Sequence, residues 1–128
     1  MTIRGICWTT GIAVVLVGGL GLLRSRAQDG SLDAAKVAPD TTKLILENAF
    51  VRVTEETVPP GQGLAKHGHP RGVTVALTDY DIEQTIYPSG RVVRAHRHKG
   101  EVAWAEPVVH ETHNVGTTIQ NVVRIELK

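Results

Sequence analysis

The chain has 128 residues, one domain's worth, and its 14 basic and 13 acidic residues leave a formal charge of only +1. Beyond Ala27 the aromatics are Phe50, Tyr80, Tyr87 and Trp104, so the basic, aromatic-studded face that binds nucleic acid is missing. The single cysteine, Cys7, lies near the N-terminus; any metal held further along must be held by nitrogen and oxygen.

Residues 1–27 read as a secretory signal peptide. Arg4 precedes an apolar run from Gly11 to Leu23, and Ser25 and Ala27 are the small residues before a cut at Gln28. The alternative is an uncleaved membrane anchor over residues 6–23, near the roughly 20 residues that a spanning helix needs. Glycines at 5, 11, 18, 19 and 21 weaken a helix there. Either way the folded part is expected to be exported, periplasmic or extracellular. The leader holds three arginines and no acid, so its removal leaves 11 basic against 13 acidic residues and a charge of −2. Residues 28–41 are polar and alanine-rich with Gly30 and Pro39 as breakers, and read as a linker with at most a short helical turn around Leu32 to Val37.

From residue 42 to 128 the texture changes to short β-branched runs cut by turn formers. Strands are expected at Lys43 to Leu46, Phe50 to Val58, Val73 to Leu77 and Tyr80 to Tyr87. A tight turn at Pro88-Ser89-Gly90 leads into Arg91 to His96, and then come Val102 to Trp104, Val108 to Thr112 and Gln120 to Leu127. Some eight strands with turns at this spacing predict an all-β sandwich or barrel. On the closing strand Val123, Ile125 and Leu127 alternate with Arg124, Glu126 and Lys128, one set facing in and the other out.

All six histidines fall between His67 and His113. His67 and His69 follow the loop Pro59-Pro60-Gly61-Gln62-Gly63 and stand at the mouth of the Val73 to Leu77 strand. In an extended chain they share a face and present two imidazoles side by side, a pair of metal ligands. The plainer alternative makes them exposed loop residues. His110, on a late strand, is the best third ligand, and His113 points to the opposite face unless a bulge intervenes. His96 and His98 form a second pair among Arg91, Arg94, Arg97 and Lys99, cations that would repel a divalent ion. A solvated strand face is expected there, or an anion-steering rim. Glu106 and Glu111 flank His110 as candidate partners or proton acceptors, although alternation sets Glu111 opposite it. No G-x-S-x-G, nucleophilic cysteine or phosphate-cradling loop is present.

The stretch from about Leu46 to Glu126 resembles a small single-domain cupin of the RmlC-like superfamily, of exported bacterial type. His67-Gly68-His69-Pro70 matches the histidine pair of that family's first motif, and Gly100, Pro107, His110 and Asn114 match the second in kind and order. Glu47-Asn48 followed by Val51-Arg52-Val53 resembles the first strands of small exported cupins. Two features depart from the pattern: the first motif's glutamate falls near Val73 or Thr74, and Pro107 is displaced, with Glu106 near its place and Val108 for a glycine. The resemblance implies an antiparallel β-barrel or jelly roll in which His67, His69 and His110 hold a divalent metal (Fe, Mn, Zn or Ni). It also implies a small-molecule ligand or substrate in the barrel mouth, and a homodimer. Open metal positions would suit oxygen-dependent or hydrolytic chemistry. The alternatives are a non-catalytic module that binds or senses a small molecule or metal, and a metal-free barrel with surface histidines.

Overall fold

Valine-, isoleucine- and threonine-rich runs, each closed by a turn former, become nine strands in a computed structural model that describes residues 30–128. They are β1 (Thr42–Glu47), β2 (Val51–Val58), β3 (Gly63–His69), β4 (Gly72–Ala76), β5 (Tyr80–Tyr87), β6 (Arg91–Arg97), β7 (Val102–Ala105), β8 (Val108–Asn114) and β9 (Gln120–Leu127). A 3-10 turn (Gly30–Leu32) and the single-turn helix α1 (Ala34–Val37) precede them. The proposed leader, residues 1–27, lies outside the described residues. Among those described, no helix is long and apolar enough to cross a membrane.

The strands form two antiparallel sheets, in the orders β1-β2-β9-β4-β7 and β3-β8-β5-β6. They face each other as the expected jelly roll, and His69 of one sheet meets Glu126 of the other across the interior. Gly90 closes the β5–β6 hairpin at φ 69°, a conformation that only glycine adopts freely. Gly72 is needed for a different reason. A Cβ there would collide with the carbonyl of Ile125, because β4 and β9 approach closely at that point.

Eight strands lie where the sequence places them, and the ninth, β3, is the one that carries the histidines. His67 and His69 do not stand at the mouth of the Val73 strand. They end a separate strand in the opposite sheet, with Pro70 and Arg71 as the break before β4. Residues 30–41, expected as a linker, pack on the barrel. Ala34 is buried, Asp33 caps α1 by accepting from the Ala35 N–H at 3.0 Å, and Asp33 pairs in parallel with Gly68.

The interior is largely polar. On β2 the buried set is Thr54, Glu56 and Val58, and on β9 it is Gln120, Val122, Arg124 and Glu126. Across the larger sheet Arg124 lies between Thr54 of β2 and Thr74 of β4. Among the described residues, Ala76, Tyr80, Ile82 and Val122 form a small apolar cluster with Ala95 against it, and Ala34, Val58 and Leu64 are buried outside it.

Candidate metal centre

β3 and β8 run antiparallel with His67 opposite His110, and His69, two residues on, falls on the same face. A register shift between Leu64 and His67 leaves Ala65 and Lys66 both exposed. That irregularity resets the alternation so that both histidines point inward. The three rings have centroid separations of 4.6, 4.8 and 5.4 Å, and a ligand nitrogen from each lies within 4.8 Å of the others. All three are buried, His67 completely. The displaced Pro107 therefore does not turn His110 away from the interior.

Hydrogen bonds set the tautomers. Nδ1 of His67 lies 2.7 Å from the Ala65 carbonyl, which can only accept, so Nδ1 carries the proton and Nε2 a lone pair. Nδ1 of His69 donates to Glu126 Oε1 at 2.8 Å, again freeing Nε2. Such outer partners fix ring orientation and raise ligand basicity. Both nitrogens of His110 are without partners. Burial above all, then the Arg124 charge, pushes His69 down to about 3. Burial, then His67 and His69, pushes His110 down to about 2. Both rings are thus neutral at physiological pH, the state in which imidazole binds a metal.

Carboxylates that the sequence pattern did not single out complete the surroundings. Glu56 reaches in from β2, and its Oε1 lies 3.5 Å from His69 Nε2. That oxygen, like Nε2 of His67 and His69, is buried with no hydrogen-bond partner. Two facing acceptors with no donor between them repel, and buried polar atoms left unpaired are costly. Convergent lone pairs of this kind fit a cation, and nitrogen donors with a carboxylate nearby fit a divalent transition ion. Glu126 is raised by burial and lies 3.8 Å from Arg52 Nη1, which is itself 2.9 Å from Asp33.

The remaining expected residues lie elsewhere. Glu111 points outward and accepts from the Tyr87 hydroxyl at 2.8 Å, and Glu106 accepts from Trp104 Nε1 at 2.7 Å. Neither partners His110; the acids beside the cluster are Glu56 and Glu126. His113 is exposed, on the face opposite His110. His96 and His98 are exposed as expected, but His96 lies 2.8 Å from Asp81 and His98 lies 3.6 Å from Asp79, so carboxylates offset the cations around them. Asn114 is fully buried. It donates to the Val58 and Thr118 carbonyls at 2.9 and 2.8 Å and accepts from Gly116 N–H, clamping the loop after β8.

A cavity of about 400 Å³ opens beside the cluster. His110, Glu56, Thr112, Gln120 and Arg124 line its inner part, and exposed Arg91, Trp104 and Glu106 stand at its mouth.

No protein-family model matches the chain, and no curated protein matches it. Solved structures do. A cupin domain from Bordetella pertussis Tohama I is 29% identical, with 68% of this chain and 91% of that one covered and a TM-score of 0.62. A double-stranded β-helix protein from Klebsiella pneumoniae is 24% identical over 66% of this chain and 73% of its own, with a TM-score of 0.53. An RmlC-like cupin from Methanocaldococcus jannaschii shares 11% identity over 67% and 77%, with a TM-score of 0.54. The chain has the cupin fold, a double-stranded β-helix, with a buried histidine cluster close enough to hold a metal.

Proposed function

We propose that this chain is an exported metal-binding cupin in which His67, His69 and His110 hold a divalent ion, with Glu56 as a fourth donor. A small organic molecule would occupy the adjoining cavity. The observation that carries the reading is the convergence of the three histidines, a ligand nitrogen from each lying within 4.8 Å of the others. Nε2 of His67 and His69 is buried and unpartnered, and the equally unpartnered Oε1 of Glu56 lies 3.5 Å from His69 Nε2. Glu56 stands in for the motif glutamate expected near Val73 or Thr74. It approaches from β2, which β9 separates from β4 in the larger sheet, and so supplies the same chemistry from another direction.

A divalent ion bound there supplies Lewis acidity, or an open position for dioxygen if it is redox-active. The protein's part is to hold the rings neutral, to shield the cluster from bulk water and to present a polar cavity to the ligand. Turnover and simple binding are both compatible with this arrangement. The cupin likeness favours neither, because a fold hosts many functions.

The test is elemental analysis of the purified full-length protein beside His67→Ala/His69→Ala and His110→Ala variants. About one ion per chain is expected in the parent and a small fraction of that in the variants. Equal metal content in all three proteins would refute the site. Oxygen uptake and product formation with candidate small molecules then separate an enzyme from a binding module.

A further inference from the structure

We infer that Arg124 is the seat of a carboxylate, so that the site takes a small organic acid held against this guanidinium beside the histidine cluster. The inference rests on the metal-site reading and names the ligand class for it. Arg124 projects from the middle of β9 into the cavity that His110 and Glu56 also line. It is 8% exposed, yet Nε and Nη1 find no acceptor. Among the described residues it forms no ion pair either. Glu126 is engaged by His69 at 2.8 Å and Arg52 at 3.8 Å, and Glu56 faces His69 at 3.5 Å.

A buried guanidinium without a partner is strongly unfavourable, and a ligand that supplies the missing counter-charge removes the penalty. The local charges agree. Asp33 and Arg52 cancel, and a divalent ion beside Arg124 outweighs Glu56 and Glu126 by a single charge, which a monoanion balances. A planar guanidinium matches the two oxygens of a carboxylate. The other cations of the cavity are poorly placed for a more highly charged anion, since Arg97 is paired with Glu101 at 3.0 Å and Arg91 is exposed at the mouth. At the mouth the charges of Arg91 and Glu106 offset each other, which leaves Arg124 as the unpaired cation of the cavity.

The experiment compares cobalt-loaded full-length protein with Arg124→Gln and Arg124→Lys. Lactate, benzoate, their neutral amides and inorganic phosphate are the calorimetric probes, and cobalt content is measured for every sample. The parent is expected to bind the carboxylates at least about tenfold more tightly than the amides. Arg124→Gln should lose that preference while keeping its cobalt, and Arg124→Lys should keep part of it. If circular dichroism shows that Arg124→Gln has lost its β-structure, Arg124→Lys carries the comparison, and a weakened carboxylate preference is then the supporting result. Lactate and benzoate binding unchanged in a folded, cobalt-loaded variant would overturn the assignment and leave the metal site standing. Phosphate bound in preference to either carboxylate would overturn the ligand class, and a parent that holds no cobalt would overturn both readings.

Discussion

His69 sits between two carboxylates that do different things. Glu126 accepts a hydrogen bond from Nδ1–H at 2.8 Å, while Glu56 faces Nε2 at 3.5 Å with no proton between them. Glu56→Gln removes a negative donor from the cation's side of the ring. It is expected to weaken metal binding at least about 10-fold, the lower end of what losing even an outer partner of a ligand costs, as read by competition with a chelator. The metal-free variant should melt no lower than the parent, because an amide is cheaper than a carboxylate to bury unpaired. At this scale the sequence was informative about histidines and misleading about acids, since it pointed to Glu106 and Glu111, which bond to Trp104 and Tyr87 instead. An H-x-H pair is a local signal, carried by two residues on one face. Glu56 and His69 are separated by a change of sheet, and nothing in the spacing of one strand reports on a residue across the interior. The asparagine of the second motif was legible as a match, but its work is structural, satisfying two carbonyls and an N–H in a loop.

Strands with two apolar faces, or one, announce themselves by their periodicity; β3 has neither. Its residues Gly63-Leu64-Ala65-Lys66-His67-Gly68-His69 include no β-branched side chain, and its alternation is broken between Leu64 and His67. Only pairing with β8 makes it a strand. β2 and β9 were legible as strands, yet on each the fully buried set is the mainly polar one, while Val51, Val53, Val123 and Ile125 are only half-buried. Alternation gives the period without saying which face is buried. The contact between β4 and β9 at Gly72 leaves no space for a side chain, and it adjoins Glu126, the register partner of Gly72. Gly72→Ala is therefore expected to cost about 1–3 kcal/mol, the usual range for overpacking, measured by denaturant unfolding. Chelator competition should show weaker metal retention as well, since moving β9 there displaces the carboxylate that orients His69.

Over the whole molecule, the jelly roll was legible because turn spacing and short β-runs are distributed along the chain. The polar interior was not, because it reflects what the barrel encloses and not how the strands form. It has a consequence for acid stability. Unfolded histidines titrate near 6.5, whereas His69 and His110 are pushed down to about 3 and about 2 in the fold. Between these values the unfolded chain binds protons that the folded chain refuses, so stability is complete above about pH 6.5 and falls as the pH drops. Glu126, raised by burial, acts in the opposite sense only around and above the ordinary glutamate range, and it is one group against two. Metal-free protein should melt progressively lower from pH 7 to pH 5. A His110→Asn variant should show a shallower slope; equal slopes would rule out a buried neutral ring at that position.

The stretch ahead of the barrel reaches the proposed metal site through a relay of charges. Asp33 grips Arg52 at 2.9 Å, Arg52 lies 3.8 Å from Glu126, and Glu126 holds His69 at 2.8 Å. Slackening the first link lets Arg52 draw Glu126 towards itself, and the imidazole becomes a poorer donor. Asp33→Asn keeps an oxygen for the Ala35 N–H and removes only the charge, so the barrel should stay intact while the metal dissociates faster in a stopped-flow chase. Whatever tugs on residues 30–41 is thereby felt at the His69 ring, three links away along this chain of charges.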